Sequence, residues 1–297
     1  MFTVTYQDQS GSLTGPEMIK HSKLTKQGKE EELTRYLDKE ARTVYEAFIF
    51  GASLSEGGPC LGWRNTQLLP FQWLTYNETM LRAHNLGSGL LSLGLSPGNS
   101  SRLGIMARNC PEWIIAELGM FSYSMVSVPL YRKLEVASIS FIITECELSV
   151  IIVQDEETVR FLLQCVPASN TLRHIVTIRD VRRTEVIKAA SDLGVKIVRF
   201  SDLEKWGAGH NLEAAPPEPG HLAVICYSPM MSSDLRPKGA MLSHQNLIAA
   251  ASACLLQLGG KTDLTQCRSV TVSQCHSVTV SQCRSVTVSQ CHSVIVS

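Results

Sequence analysis

The chain has 297 residues, with 27 Lys or Arg balanced by 27 Asp or Glu, so its formal charge is zero. This balance gives no electrostatic basis for binding nucleic acid or an anionic membrane. Hydrophobic residues make up 44% of the chain and charged residues 18%, which is typical of a globular protein and excludes a wholly disordered one.

Targeting and membrane signals are not visible in the sequence. The longest apolar stretch, Leu247 to Leu258, is interrupted by Ser252 and Gln257 and is too short to span a bilayer. The first residues lack the basic and apolar regions of a secretory signal. We therefore expect a cytoplasmic chain in a reducing compartment. Six scattered cysteines without Cys-x-x-Cys spacing are then interpreted as buried thiols: Cys60, Cys110, Cys146, Cys165, Cys226 and Cys254.

The first hundred residues alternate charged, turn-forming and amphipathic segments. Residues 1–45 form a charged N-terminal region, and a four-residue apolar spacing predicts a helix over Lys29–Phe50. Ser55–Pro59 is predicted as a linker and Phe71–Thr75 as a strand. Thr75 and Glu78 have the spacing of a capping box for the next helix, which Gly94 and Pro97-Gly98 should end.

A regular pattern follows, in which short apolar strands recur about every 22 to 26 residues, the length of a strand plus a crossover helix. Between them, Asn109 is the expected N-cap of a helix with Pro111 in its first turn. Ala214–Gly220 is predicted as a stiff linker, and Ser243 as the cap of a last helix through Leu258. The predicted strands are Leu103–Ala107, Val126–Leu130, Leu148–Val153, His174–Ile178, Lys196–Phe200 and Leu222–Tyr227. The sequence thus predicts an α/β fold: a mostly parallel sheet with helices on both faces.

The C-terminus consists of four near-identical octads that begin at Gln266, Gln274, Gln282 and Gln290. We interpret residues 261–297 as a junction followed by a translated tandem nucleotide repeat without a selected fold. A β-solenoid or an adhesive β-tail is the alternative, because the octad suits the two-residue period of a strand. Metal binding by the Cys-His pairs at 275–276 and 291–292 is a third interpretation, although the spacing does not match a tetrahedral zinc site.

Ligands of such sheets bind at the carboxyl ends of strands, so the loop after Tyr227 is the main candidate site. It offers hydroxyl groups and a cation that could bind a nucleotide phosphate, and its candidate residues are Ser228, Ser232, Ser233, Lys238 and Gly239. The simpler interpretation of three histidines is that they are structural or solvated: His174, His210 and His221. His244 could cap the last helix or approach a phosphate. Trp113 and Phe121 could line an acyl tunnel, but helical spacing favours core packing.

The loop and its surroundings resemble the long-chain fatty-acid-CoA ligases of the adenylate-forming, AMP-binding superfamily. The resemblance covers about residues 45–259 and rests on these runs: Gly58–Gly62, Trp73–Tyr76, Asn109–Ile115, Tyr123–Val126, Val128–Tyr131, Ala223–Tyr227 and Lys238–His244. It implies that residues 46–260 are a partial AMP-binding domain, the incomplete N-terminal domain of an adenylate-forming enzyme. It also implies ATP, Mg²⁺ and CoA as cofactors and co-substrates and a fatty acid as substrate. Family members often lie on the endoplasmic reticulum or the mitochondrial outer membrane.

The sequence departs from the family pattern at three places. No glycine lies between Tyr227 and Lys238, and that loop is two residues longer than in the family. Arg132-Lys133 replaces a usual Asp-Thr pair. After Lys261 the octads stand where the family has its adenine, ribose and magnesium motifs and its catalytic lysine. We therefore predict a truncated, inactive ligase-like chain. The alternatives are a non-catalytic fragment that binds a nucleotide, a lipid or a related subunit, and a structural protein assembled through its octads.

Overall fold

The computed structural model describes residues 10–12, 20–22, 36, 38–64, 69–168, 171–228, 237–257, 270–272 and 294–296. Eight helices lie in these ranges: α1 Val44–Leu54, α2 Tyr76–Leu91, α3 Pro111–Phe121, α4 Val136–Glu145, α5 Glu156–Cys165, α6 Thr184–Asp192, α7 Phe200–His210 and α8 His244–Gln257. None of them is long and apolar enough to cross a membrane.

The strands form three sheets, of which the largest has seven strands. They are β1 Ser10–Ser12, β2 Lys20–Ser22, β3 Pro59–Trp63, β4 Gln72–Thr75, β5 Arg102–Met106, β6 Val126–Pro129, β7 Val150–Val153, β8 His174–Thr177, β9 Lys196–Arg199, β10 Leu222–Ser228, β11 Lys238–Ser243, β12 Val270–Val272 and β13 Val294–Val296. The large sheet has the order β11-β10-β6-β5-β7-β8-β9, β1 pairs with β2, and the third sheet has the order β12-β13-β3-β4.

The large sheet confirms the predicted α/β class. Its neighbouring strands are parallel except for β11, which runs antiparallel to β10. All six predicted strands form, with ends that differ by one or two residues from the prediction. The central strands β5, β6, β7 and β8 are buried on both faces, as parallel strands between helices must be. Along β7, for example, Val150 and Ile152 belong to the core shared with α2, α3 and α7, whereas Ile151 and Val153 belong to the core shared with α4, α5 and α6.

Several predicted boundaries are confirmed by hydrogen bonds. Thr75 and Glu78 form the expected capping box, since Thr75 Oγ1 accepts from Glu78 N at 3.1 Å and Glu78 Oε2 accepts from Thr75 N at 2.8 Å. Ser243 caps α8 by accepting from Asn246 N at 3.2 Å. The cysteines at 60, 146 and 165 are buried free thiols, while those at 110 and 226 are half-buried. The side chain of Cys254 lies outside the described residues.

Other boundaries were predicted wrongly. α1 begins at Val44 behind a capping box of Thr43 and Glu46, so residues 38–43 are not helical. α3 has Cys110, not Asn109, at its N-cap position, with extended backbone and no side-chain cap. Pro59 belongs to β3 and not to a linker. β11 was not predicted, and it pairs with the outer side of the strand predicted at Leu222–Tyr227, which is therefore an interior strand.

Candidate phosphate-loop site

The antiparallel pair β10 and β11 forms the base of the candidate loop. β10 ends at Ser228 and β11 begins at Lys238, and these two residues are partners in the strand register. Tyr227 is paired in the same way with Gly239. The fold therefore brings Ser228, Lys238 and Gly239 together at the carboxyl end of β10, as the loop prediction requires. Ser232 and Ser233 fall in 229–236, outside the described residues.

Gly239 is required at its position by the aromatic ring opposite to it. A Cβ atom built on Gly239 would lie 2.9 Å from Cζ of Tyr227 and 3.1 Å from Cγ2 of Ile225. An aromatic side chain that lies over a cross-strand glycine stabilises such a pair by covering its exposed backbone. The absence of a side chain at Gly239 therefore makes room for the packing of the Tyr227 ring.

The hydroxyl of Tyr227 fixes the end of β10 to the end of α4. It donates to Oε2 of Glu145 at 2.5 Å and lies 3.1 Å from Sγ of Cys146. Burial, followed by the hydrogen bonds to Cys146 and Glu145, raises the pKa of Tyr227. Burial likewise raises the pKa of the Cys146 thiol. Both groups thus keep their protons near neutral pH, so the thiol can donate to the phenol oxygen while the phenol donates to the carboxylate.

Lys238 is a cation at the base of the candidate loop, opposite Ser228. Its side chain is exposed, whereas the preceding Pro237 is buried and anchors the end of the loop. An exposed ammonium group at the carboxyl edge of the sheet can turn toward a bound anion. Since β10 lies beside β6, the loop after β6 is the neighbour of this edge.

The Arg132-Lys133 pair, which departs from the family pattern, lies in that neighbouring loop. Arg132 forms an ion pair with Glu157 in the first turn of α5. The next strand end contributes Arg108, whose backbone N–H donates to Oε1 of the buried Gln154 at 3.1 Å. Arg132 and Arg108 therefore connect the loops after β6 and β5 to the β7–α5 region.

His244 neither caps α8 nor approaches a phosphate, because it is completely buried. Its Nδ1 accepts from Val44 N at 3.4 Å, and its ring meets the ring of Phe121 edge-on with centroids 4.8 Å apart. Burial lowers the pKa of His244 to about 4. The neutral imidazole therefore joins α8 to α1 and α3, and Phe121 is a core residue as the spacing predicted.

The other three histidines named in the sequence analysis contact neighbouring protein groups or are half-buried. His221 Nδ1 accepts from Glu218 N at 3.2 Å, and His210 stacks on Trp206 with ring centroids 3.7 Å apart. His174 is half-buried on β8, and burial lowers its pKa. Across the described part of the chain, no group of three His, Cys, Asp or Glu side chains is arranged to hold a metal ion.

One half-buried ionisable residue beside the core was missed in the sequence. Glu117 on α3 accepts from Oγ of Ser127 on β6 at 3.0 Å and from the side chain of Trp113. Burial raises the pKa of Glu117 to about 7. The sequence did contain an indication of this role. Glu117 falls between Ile114 and Phe121 on the apolar stripe of the helix, where a charged residue is unexpected.

Comparison with known proteins identifies the family of the chain. The family model described as AMP-binding enzyme matches residues 62–294. Long-chain-fatty-acid–CoA ligase 6 of Mus musculus is 38% identical over 75% of this chain and 32% of its own length. Long-chain-fatty-acid–CoA ligase 5 of Rattus norvegicus is 35% identical over 76% of this chain and 33% of its own length. The chain therefore spans about a third of these curated relatives.

Solved structures share the fold at lower identity. The anthranilate CoA ligase AuaEII, in complex with anthranoyl-AMP, is 18% identical with a TM-score of 0.58, over 74% of this chain and 37% of that one. MbtA of Mycobacterium smegmatis is 14% identical with a TM-score of 0.65, over 90% of this chain and 45% of that one. Because the family model matches most of the chain, the chain belongs to the AMP-binding enzyme family, with long-chain fatty-acid-CoA ligases among its relatives.

Proposed function

We propose that the chain is a long-chain fatty-acid-CoA ligase-like protein in which the loop between Ser228 and Lys238 is the phosphate-binding element. We further propose that, with its present sequence, this element does not support acyl-CoA formation. The observation that carries the proposal is the strand register, which pairs Ser228 with Lys238 and holds both ends of the loop at one point of the sheet.

The reaction expected from the relatives has two steps. A fatty-acid carboxylate attacks the α-phosphate of ATP and gives an acyl-adenylate and pyrophosphate, and the thiol of CoA then displaces AMP to give the thioester. The first step requires positive groups and N–H donors around the phosphates, because two anions must meet. Lys238 would supply one positive charge, the serine hydroxyls would supply donors, and Mg²⁺ would arrive as the counter-ion of ATP.

The composition of the loop weakens its backbone contribution. A phosphate cradle needs successive N–H groups that point to one centre, which usually requires glycine. Residues 229–236 contain no glycine, and Pro229 and Pro237 have no N–H to donate. Met230 and Leu235 carry side chains that resist the left-handed backbone conformations of such loops. We therefore propose weak ATP binding and no turnover.

Two measurements test this proposal. The purified chain, incubated with ATP, Mg²⁺, CoA and palmitate, should give no more thioester than a blank without protein. Calorimetry should give an ATP dissociation constant weaker than the micromolar range. Turnover above the blank, or micromolar binding by the unchanged chain, would contradict the proposed loss of function.

A gain-of-function variant tests the assignment of the loop itself. Met230→Gly combined with Leu235→Gly should tighten ATP binding at least about tenfold, because two positions become free to turn their N–H groups toward phosphate. Adding Lys238→Ala should remove most of the gain, whereas adding Lys205→Ala, an exposed lysine of α7, should not. If Lys238→Ala leaves the gain intact, the loop is not the phosphate site.

A further inference from the structure

Ser124 lies in the turn between α3 and β6, in a backbone conformation that is costly for a residue with a side chain. Its φ is 56°, in the left-handed region that glycine favours, and the residue is buried. A residue other than glycine keeps such a conformation only where its surroundings hold it there. The contacts of Ser124 therefore indicate what the turn is built to hold.

The hydroxyl and the carbonyl oxygen of Ser124 reach two separate points on the way into β10. Ser124 Oγ donates to the carbonyl oxygen of Ala215 at 2.7 Å. The carbonyl oxygen of Ser124 accepts from Nδ2 of Asn99 at 2.9 Å, and the same side-chain amide is paired with Leu222, the first residue of β10. One turn residue thus joins the linker before β10 to the start of β10 itself.

The neighbouring turn residues hold the same linker. Ala215 N donates to the carbonyl oxygen of Ser122 at 2.9 Å, and the hydroxyl of Tyr123 donates to the carbonyl oxygen of Leu212 at 2.8 Å. Pro216-Pro217 follows and stiffens the backbone. Because the linker is held at Ala215 and cannot bend freely after it, the position of the linker determines where β10 begins.

β10 depends on this attachment because its own pairing with the parallel strands is short. In the described residues its register with β6 consists of one pair, Val224 with Ser127, whereas each of the other parallel pairs of the large sheet has four. The register with β11 is longer, but β11 pairs with no other described strand and therefore moves with β10. The contacts at the start of β10 thus determine how far the β10–β11 pair extends along the sheet.

We propose that Ser124 is a positioning residue for the candidate phosphate loop. Its hydroxyl fixes the linker, the linker fixes the start of β10, and the β10–β11 pair then places Ser228 and Lys238 at the carboxyl edge of the sheet. The role of Ser124 in placing β10 depends only on the contacts described above. Its consequence for phosphate binding rests on the proposed function of the loop.

Amide hydrogen exchange of the full chain tests the placement of β10. Ser124→Ala removes the hydroxyl and leaves the left-handed backbone strained, whereas Ser124→Gly removes the hydroxyl and relieves the strain. Ser122→Ala is the matched control. Ser122 is a buried serine of the same turn, and its hydroxyl donates to the carbonyl oxygen of Leu118 in its own helix at 2.8 Å and not to the linker.

Both Ser124 variants should accelerate exchange of the β10 and β11 amides at least about tenfold, the equivalent of one lost buried hydrogen bond. The control should leave these amides, and every variant should leave those of β7, within about twofold of the unchanged chain. Three results would overturn the proposal: normal protection in Ser124→Gly, which would make strain the only effect; equal acceleration in β7, which would mean a general loss of stability; or the same acceleration in the control.

Phosphate binding is measured in the loop variant that combines Met230→Gly with Leu235→Gly. Adding Ser124→Ala should weaken ATP binding by this variant at least about fivefold, because only a fraction of the molecules then hold Lys238 in its binding-competent place. Adding Ser122→Ala should leave the affinity within about twofold. An affinity that Ser124→Ala does not change would overturn the role of Ser124 at the loop. A loop variant that gains no ATP affinity would instead contradict the phosphate-loop assignment, and the exchange measurement would still decide the placement of β10.

Discussion

Gly207 of α7 lies directly against the backbone of Asn85 in α2. A Cβ atom built on Gly207 would be 1.8 Å from the carbonyl oxygen of Asn85, well inside any allowed contact distance. A second pair repeats this contact one turn earlier in α7 and one turn later in α2, since a Cβ on Gly89 would lie 2.3 Å from the carbonyl oxygen of Leu203. The two helices are therefore as close as glycine permits.

Gly207→Ala should destabilise the fold by about 3 kcal/mol, because the added methyl group can be accommodated only if α2 and α7 move apart. Gly209→Ala is the matched control. Gly209 lies on the same helix, and a Cβ atom built there would meet nothing within 4 Å. The control should be neutral or stabilise by up to about 1 kcal/mol, because alanine favours helix. The change in unfolding free energy of each variant is measured by thermal unfolding. Equal changes in the two variants would contradict the close contact between the helices.

Glu117 should make stability fall as pH rises. Its folded pKa, about 7, lies above the ordinary value of 4.5, so the folded chain holds a proton that the unfolded chain has released in this range. The stabilisation is complete below pH 4.5 and is lost as pH rises toward 7. Glu117→Gln should remove this slope and stabilise the fold at pH 8 by about 1 to 3 kcal/mol. The exposed Glu213→Gln should change neither the slope nor the stability.

His244 should produce the opposite slope. Its folded pKa, about 4, lies below the ordinary value of 6.5, so protonation favours the unfolded chain. Stability is therefore lost as pH falls from 6.5 toward 4, by about 2 to 3 kcal/mol in total. His244→Asn keeps an acceptor for Val44 N but cannot titrate, and it should remove this loss.

The measurement for His244 is unfolding free energy against pH, compared with His210→Asn on the exposed end of α7. Because the slopes of His244 and Glu117 oppose each other between pH 4.5 and 6.5, the unchanged chain should show a flatter profile than either variant. An NMR titration midpoint of the His244 imidazole near 6.5 would rule out the buried neutral state.

Asn99 should be needed to hold the start of β10. Its Oδ1 accepts from Leu222 N at 2.7 Å, and its Nδ2 donates to the carbonyl oxygens of Ser124 at 2.9 Å and Leu222 at 3.1 Å. Asn99→Ala should cost about 1 to 3 kcal/mol, because these backbone groups lose their partners. Asn99→Asp keeps the acceptor but turns a carboxylate toward two carbonyl oxygens.

The aspartate variant should therefore be at least as destabilised as the alanine variant at pH 7, and it should regain stability at acid pH when the carboxyl is protonated. Chemical denaturation at two pH values measures this. An aspartate variant as stable as the unchanged chain at pH 7 would show that the two donated hydrogen bonds do not contribute.

The parallel strands were predictable from the sequence, because burial on both faces leaves short apolar runs such as Val150–Val153 with a regular spacing. β11 could not be found in this way. Its first four residues are exposed and do not alternate, so its pairing depends on β10 and not on its own pattern. β3 was missed because Pro59 and Gly62 are turn signals in a sequence, whereas Gly62 is actually required by the Trp73 ring.

The placement of the candidate-site residues was predictable in part. Apolar residues followed by a hydroxyl-rich loop and Lys-Gly located Ser228, Lys238 and Gly239 at a strand end, and the structure brings these three together. The role of Tyr227 could not be predicted, because its partners Glu145 and Cys146 are 81 or 82 residues away in the chain. The burial of His244 likewise depends on Val44, 200 residues earlier.

The close contact between α2 and α7 also affects the order of folding during synthesis. Arg82 of α2 and Glu204 of α7 form an ion pair at 2.7 Å although they are 122 residues apart in the chain. At a translation rate of about 5 to 20 residues per second, roughly ten seconds pass between the synthesis of α2 and the synthesis of α7. During this interval its glycine-containing face lacks the helix that covers it, so a nascent chain shorter than about 210 residues presents that face to chaperones.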